Sequence, residues 1–358
     1  MNAEQQNSWQ PLLNAGLVSG SPPPSTRPVS PWYVRLMLGG AGWLAALFLL
    51  AFVASGLGWL VESDWTTIAT GLMMIGVAWL LLKRMSANDF AVQFALAISF
   101  AGQALVTFGL YGLLGQDGPG AFFWLLIALL QAALAALMPN PIHRLWSSFA
   151  TGVSLYMALQ TTPIAFASSA LILAAAAKFW SCEFRWPRKC SIIRPIAYGL
   201  VLALVALELA SAALLSFTGV SPLESRQTLT APWLGQLLTG AVLLWVVWRQ
   251  LRRLEVTIPG KMANSALIAT AAIILISLQA PGIATGLCIV LLGFGQGNRI
   301  LTGIGICALL LYAGSYYYNL DVSLLVKSQV LAATGAAMLL LRWLMLRWLW
   351  PAGETGNA

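Results

Sequence analysis

Charged residues are scarce in this sequence, and their scarcity decides its class. Only 8% of the 358 residues are charged and 59% are hydrophobic, and the mean hydropathy is +0.81. A soluble domain carries charge on about a quarter of its residues, and a charged side chain in hydrocarbon costs about 2.5–3.5 kcal/mol. The composition therefore excludes an ordinary soluble protein and predicts an integral membrane protein.

Residues that ligate metals or carry redox chemistry are also few. The single histidine, His143, follows two prolines and stands beside Arg144, with no second histidine or carboxylate near it. We interpret it as a solvated histidine in a cytoplasmic turn, because a metal site needs further ligands. The four cysteines form no Cys-x-x-Cys pair and are read as structural. No metal and no cofactor is predicted.

The net charge of +8 is not accompanied by a basic helix, a zinc pattern or an aromatic RNA-binding strand. Nucleic acid is therefore not a predicted partner. The cytoplasmic loops of membrane proteins retain Lys and Arg, so topology alone explains a basic surplus. The partner that the composition itself indicates is the lipid bilayer, and the sequence does not define an oligomeric state.

Long apolar runs recur along the whole chain. A membrane-spanning helix needs about twenty apolar residues, because the hydrocarbon is about 30 Å thick and each helical residue rises about 1.5 Å. Twelve segments meet or approach this requirement: residues 36–61, 65–82, 90–114, 119–138, 145–161, 163–179, 196–217, 233–248, 262–279, 282–297, 300–316 and 322–344. The predicted fold is an all-α polytopic helical bundle of about twelve transmembrane helices.

The basic residues predict how these segments are oriented. With a cytoplasmic N-terminus, 17 of the 19 Lys and Arg residues fall on the inner side, as the positive-inside rule requires. The other two are Arg226, in an outer loop, and Lys327, inside the last segment. Tryptophans such as Trp180 and Trp248 stand near inner ends, where their rings favour the headgroup level. We therefore expect both termini in the cytoplasm.

The connections between the segments are too short for a folded soluble domain. Residues 1–34 are Pro/Ser-rich and are predicted to be a disordered cytoplasmic tail, and residues 349–358 are predicted to be a second tail. Residues 35–348 form one transmembrane domain. This domain could consist of two halves, 35–179 and 196–348, joined by the basic cytoplasmic loop 180–195, but the halves share no sequence repeat.

Two ionisable residues, Glu208 and Lys327, stand inside the predicted spans. Such residues are expensive in hydrocarbon and indicate functional sites. Lys327 either extends its long stem outward to the interface or pairs with Glu208 or Asp321, since a buried charge left alone is strongly unfavourable. A neutral, protonated Glu208 is a further alternative, because burial disfavours the charged form of a carboxyl group. Elsewhere the run from Gly282 to Gly286 has the small-xxx-small spacing of closely packed helices.

One stretch near the C-terminus resembles a family signature. It reads Tyr316-Tyr317-Tyr318-Asn319-Leu320-Asp321-Val322-Ser323-Leu324-Leu325-Val326-Lys327-Ser328 and continues through Gly335 to Arg342. This resembles a bacterial multi-pass inner-membrane family of unknown function with the pattern YYxL, then S/T-LL-x-KS, then a glycine and a terminal arginine. The resemblance implies a bacterial inner membrane and a neighbouring membrane-anchored periplasmic protein with a GDYxxLxY signature. It also favours Tyr317, Lys327 and Ser328 as site residues.

Two classes of function stay open. The favoured one is a non-enzymatic component, either a carrier of a small or lipid-like solute or a scaffold that works with a periplasm-facing partner. The alternative is an intramembrane enzyme that acts on a lipid-linked substrate, although the outer loops hold few residues suited to phosphate or sugar chemistry. The candidate intramembrane site comprises Glu208, Lys327, Ser328, Asp321 and Tyr317, and no catalytic residue is assigned.

Overall fold

The computed structural model of the chain describes residues 11, 13–16, 32–56, 63–85, 88–115, 118–183, 189–218, 232–254, 260–279 and 281–319, with single positions between 325 and 343. Eleven α-helices with defined bounds lie in these ranges: α1 Trp32–Gly56, α2 Asp64–Arg84, α3 Asp89–Leu114, α4 Ala121–Leu137, α5 Pro141–Gln160, α6 Ser168–Cys182, α7 Cys190–Thr218, α8 Pro232–Arg253, α9 Lys261–Gln279, α10 Ile283–Gly295 and α11 Arg299–Asn319. The 3-10 helix Ala165–Ala167 precedes α6. No strand occurs among the described residues.

Eleven of the twelve predicted apolar segments coincide with these helices, and the twelfth lies mostly outside the described residues. Six described helical stretches are long and apolar enough to cross a membrane: Asp64–Arg84, Asp89–Leu114, Ala165–Cys182, Cys190–Ser211, Trp233–Arg253 and Arg299–Tyr317. Shorter apolar helices include Ala121–Leu137 and Ile283–Gly295. The all-helical class is confirmed and six candidate spans support a membrane protein, while the count of twelve stays a prediction.

The chain divides into two compact units, Met1–Leu105 and Val106–Ala358. The division falls inside α3, so it differs from the two halves expected on either side of loop 180–195, which stay a prediction. In the first unit α1 packs closely on α3, since a Cβ at Gly42 would come within 3.0 Å of the Phe94 backbone nitrogen. The Trp43 indole donates a hydrogen bond of 3.3 Å to Gln93 Oε1 across the same contact.

The second unit is built around α6, α7, α8 and α10. Leu173 and Trp180 of α6, Leu204 of α7, Leu243 of α8 and Ile289 of α10 are all fully buried in one apolar cluster. Trp180 was expected near the headgroup level at an inner helix end, and that depth stays a prediction, while within the bundle its side chain is fully buried. Its ring packs edge-on against Tyr198 with centroids 4.9 Å apart, because α7 lies directly against the end of α6.

Helices α5 and α7 meet through small side chains. A Cβ at Gly199 would come within 2.3 Å of the Leu145 carbonyl oxygen and 2.9 Å of the Phe149 nitrogen, and one at Gly152 would meet Ala203 at 2.8 Å. Ser148 and Gly152 on α5, and Gly199 and Ala203 on α7, are each four residues apart. Small residues at this spacing let two helical backbones approach closely. The pair forms one of the tightest helix contacts in the unit.

The start of α5 corrects the interpretation of His143. Asn140 Oδ1 accepts hydrogen bonds from the backbone nitrogens of Ile142 and His143 at 2.8 and 3.2 Å, and Pro141 occupies the first helical position. These are strong helix-start signals, so the helix begins earlier than expected. His143 is therefore not a solvated turn residue: it is 0% exposed, and its Nδ1 lies 3.1 Å from the Ser147 hydroxyl.

Polar side chains gather where α6, α8 and α10 end and α7 and α11 begin. Tyr198 donates to Asn298 Oδ1 at 2.9 Å and accepts from its amide nitrogen at 2.7 Å. Glu183 is 2% exposed and pairs with Arg194, whose side chain is 57% exposed. Arg249 and Arg253 of α8 both donate to the Ser181 carbonyl, at 3.1 and 3.3 Å. We call this group the basic end of the second unit.

The Glu183–Arg194 pair gives a prediction about stability. Arg194→Met should destabilise the protein by about 1–2 kcal/mol, because it leaves the buried Glu183 carboxylate without its cation and the exposed guanidinium limits the loss. The double variant Arg194→Met with Glu183→Gln should recover most of this loss. Thermal unfolding in mild detergent measures all three variants. Additive losses in the double variant would show that the two side chains do not act as a pair.

Candidate functional site

Glu208 lies on α7, inside the candidate span Cys190–Ser211. It is about ten residues, or roughly 15 Å, from the end of the helix at Thr218. A carboxylate at such a depth is costly and requires polar partners. The Ser211 hydroxyl does not supply one, because it donates to the Glu208 backbone carbonyl at 2.8 Å. The partners of the carboxylate come from other helices.

The first partner is Thr285, in the opening turn of α10. Its hydroxyl donates a hydrogen bond of 2.8 Å to Glu208 Oε1. Thr285 itself is 1% exposed, so the bond lies inside the bundle. The contact joins two helices that are 77 residues apart along the chain. It holds one carboxylate oxygen at a fixed place and leaves the other, Oε2, directed elsewhere.

Two tyrosines stand within electrostatic reach of the same carboxylate, Tyr312 on α11 and Tyr156 on α5. Tyr312 is 3% exposed. The Tyr312 hydroxyl and Glu208 Oε2 are both buried and make no hydrogen bond of good geometry, although the two groups lie close enough to interact with each other. Buried polar atoms in native proteins are nearly always paired. Thr285 therefore supplies the one well-formed side-chain hydrogen bond to this carboxylate among the described residues, and the Tyr312 hydroxyl stands beside it.

Glycines put Thr285 and Tyr312 in position. Gly282 has a φ of +93°, in the left-handed region that favours glycine, and a Cβ there would come within 2.8 Å of the Tyr312 ring. Gly286 faces Leu309 in the same way, at 2.7 Å. The close helix packing predicted from the Gly282–Gly286 spacing is thus confirmed. It presses α10 against α11 and brings the threonine and the tyrosine to the same side of Glu208.

The other residues expected at the site are placed differently or lie outside the described residues. Asp321 and Lys327 lie outside them, so the pairing of Lys327 with Glu208 or Asp321 stays a prediction. Tyr317 is half-buried on α11. Ser328 is exposed, and its hydroxyl donates to the Leu325 carbonyl at 2.8 Å. The part of Tyr317 and Ser328 in a functional site stays a prediction.

Sequence reasoning missed Thr285, Tyr312 and Tyr156 as site residues. Thr285 was read only as part of a packing motif, and the two tyrosines stand in apolar runs that hold other aromatic residues. A usable signal was present, because buried tyrosine and threonine hydroxyls need partners. What the sequence could not supply was the identity of the partner, since these residues come from helices far apart in the chain.

One family pattern covers the site and nearly all of the chain. The family described as a domain of unknown function (DUF4401) matches residues 31–348. The chain belongs to the DUF4401 family. The match includes all four helices that meet at Glu208. It agrees with the resemblance to an uncharacterised family. The signature YYxL followed by S/T-LL-x-KS and a bacterial source stay predictions. Comparison of the chain with curated proteins and with solved structures gave no match. DUF4401 membership therefore supplies no activity.

Proposed function

We propose that this DUF4401 protein is a non-enzymatic multi-pass carrier in which the Glu208 carboxylate binds a small cation. The observation that carries the proposal is a buried carboxylate that has one well-formed hydrogen bond, from Thr285, and a buried Tyr312 hydroxyl beside it. A counter-charge stabilises an ionised carboxylate inside a membrane domain. An alkali ion or a small ammonium group supplies that charge and takes oxygen atoms as its ligands.

The residues around Glu208 suit reversible binding of such an ion. Thr285 fixes one carboxylate oxygen, so the ion does not have to order the side chain and its binding costs less entropy. The Tyr312 hydroxyl offers a neutral oxygen beside one negative charge. A single carboxylate holds a monovalent cation less firmly than a cluster of acids would, and a carrier must release what it binds.

A cation-dependent unfolding experiment tests the proposal. The full chain in mild detergent is heated in sodium, potassium, ammonium or the bulky N-methylglucamine ion at constant ionic strength. A small cation at about ten times its Kd should raise the melting temperature of the wild type by roughly 2–3 °C. Glu208→Gln should abolish this shift, because the amide keeps the shape of the carboxylate without its charge.

Controls separate the Glu208 site from a general salt effect. Asp64→Asn also removes one carboxylate, at the start of α2 in the first unit, and should retain the shift. Uptake of the stabilising cation into proteoliposomes then separates a carrier from a mere binding site. An equal shift in Glu208→Gln would refute the cation site. A shift in N-methylglucamine that matches sodium would refute it as well.

We further propose the arrangement inferred from sequence: a bacterial inner membrane, about twelve spans and both termini in the cytoplasm. The charge pattern and the match between predicted segments and observed helices support it. The alternative that the protein is a scaffold for a membrane-anchored periplasmic protein rests on the family resemblance. This alternative would be favoured if a protein that co-purifies with the wild type were absent from Lys327→Met while the cation response stayed the same. The alternative of an intramembrane enzyme has no observation in its favour at Glu208.

A further inference from the structure

An apolar groove runs between α6 and α8, away from the Glu208 carboxylate. Its volume is about 450 Å³. Small and aliphatic side chains form its walls: Ala170, Leu171 and Ala174 on α6, and Leu238, Ala241 and Val242 on α8. Leu171 is 47% exposed and Leu238 is 40% exposed, so the groove opens to the outside of the second unit. In a membrane that outside is lipid.

The α6 side of the groove has about the length of one leaflet. It begins at Ala167 and ends at Lys178, eleven residues or roughly 16 Å along the helix axis, and the α8 side covers roughly 10 Å from Leu238 to Trp245. The hydrocarbon of one leaflet is about 15 Å thick, half of a bilayer core of about 30 Å. An acyl chain that stands in one leaflet can therefore lie along α6 and contact α8 over most of its length.

Among the described residues, positive charge borders this groove at one end only. Lys178 and Trp245 complete the lining there. One turn further along α8, the Arg249 guanidinium lies 5.6 Å from the centre of the Trp245 ring. Arg253 follows one more turn on, and the two guanidinium groups repel each other. The groove thus joins the basic end of the second unit.

These three cations lack acidic partners in the described part of the chain. The Glu183 carboxylate pairs with Arg194, and Arg249 and Arg253 donate instead to one neutral oxygen, the Ser181 carbonyl. Arg249 Nε is buried without a hydrogen-bond partner. A phosphate group would supply the missing negative charge, and guanidinium groups bind phosphate with paired hydrogen bonds.

We infer that the groove between α6 and α8 binds an anionic phospholipid, with one acyl chain against the alanine-rich walls and the phosphate at Lys178, Arg249 and Arg253. The positive charge at one end of the groove favours an anionic headgroup, and the length of the groove favours an acyl chain from one leaflet. Basic pockets between transmembrane helices are known lipid headgroup sites. Trp245 stands where the chain meets the headgroup, the level that tryptophan favours.

The test measures lipid binding to the full-length protein in mild detergent. Binding of phosphatidylglycerol and of phosphatidylcholine is titrated by native mass spectrometry for the wild type, Lys178→Gln and Arg252→Gln. Lys178→Gln should weaken phosphatidylglycerol binding about fivefold, the loss expected for one basic side chain. Arg252→Gln removes the same charge from an exposed residue that stacks on Trp248 at 3.9 Å, and it should change affinity little. Equal loss in both variants would overturn the proposal.

Two further variants test whether the acyl chain occupies the groove and whether the loss of a basic residue disturbs folding. Ala174→Leu fills the groove without changing charge, and it should weaken binding of long-chain phosphatidylglycerol but not of inorganic phosphate. Arg249→Gln should weaken both, and its melting temperature without lipid shows whether it folds. Binding of inorganic phosphate without binding of phosphatidylglycerol would show that no anionic-lipid site exists. Binding of phosphatidylcholine equal to that of phosphatidylglycerol would show the same. Glu208→Gln should bind lipid like the wild type, so this proposal and the cation proposal fail separately.

Discussion

Replacement of Gly199 by alanine should destabilise the protein by about 2–3 kcal/mol. A Cβ at this position would stand 2.3 Å from the Leu145 carbonyl oxygen and 2.9 Å from the Phe149 nitrogen. Both are backbone atoms of α5, so no rotation of a side chain relieves the contact. Helices α5 and α7 would have to separate, and overpacking of this kind costs about 1–3 kcal/mol or more. Thermal unfolding in detergent measures the loss.

Gly303 offers a matched control for this prediction. It lies inside α11, and a Cβ there would meet no atom within 4 Å. Gly303→Ala should leave stability unchanged or raise it, because alanine favours a helix over glycine by up to about 1 kcal/mol. The same substitution is thus expected to have opposite effects at two helical positions. A melting temperature of Gly199→Ala at or above that of the wild type would contradict the close approach of α5 and α7.

The free energy of unfolding should also fall steeply between neutral and acid pH, and protonation of His143 should contribute to this fall. Burial lowers the pKa of His143 from 6.5 to about 4. The unfolded chain therefore binds a proton between these values while the folded protein does not. Under this linkage, stability is fully present above about pH 6.5 and is lost as the pH falls towards 4. The loss from pH 7 to pH 4 should reach about 3 kcal/mol.

The composition makes this prediction easy to check, because His143 is the single histidine of the chain. Melting temperatures of the wild type and His143→Gln are compared at intervals from pH 7 to pH 4. The variant should be less stable at pH 7, since its amide disturbs the contact with the Ser147 hydroxyl, but its curve should be flatter. Parallel curves for the two proteins would show that His143 titrates normally in the folded state.

Sequence reasoning located Glu208 because the cost of a charge in hydrocarbon depends on one residue and its apolar neighbours. It did not find the groups near Glu208, because Thr285, Tyr312 and Tyr156 belong to three other helices. The interpretation of His143 failed for a similar reason. A proline-rich stretch was read as a turn, although Asn140 and Pro141 together begin a helix, and packing of that helix buries the imidazole.

Trp180 illustrates the same limit at the basic end. Its position near a predicted span end indicated the headgroup level, and contact with Tyr198 decides that the ring faces into the helix bundle. Depth along a helix can be counted in residues, whereas the direction that a side chain faces depends on which helix packs beside it. The sequence did not predict the groove between α6 and α8 for this reason, because its walls are alanines and leucines like those of the other spans.

The sequence by itself determined the helical class and the approximate positions of eleven helices, and it singled out Glu208 within an apolar helix, because hydrophobicity and helix length are local properties. The tertiary structure decided which helices touch, and therefore that Thr285 holds Glu208, that Gly199 meets the backbone of α5 and that Lys178 and Arg249 border one groove. Apolar helices with similar surfaces can pack in many ways. Only the fit of particular small, polar and charged side chains across the contacts selects one arrangement.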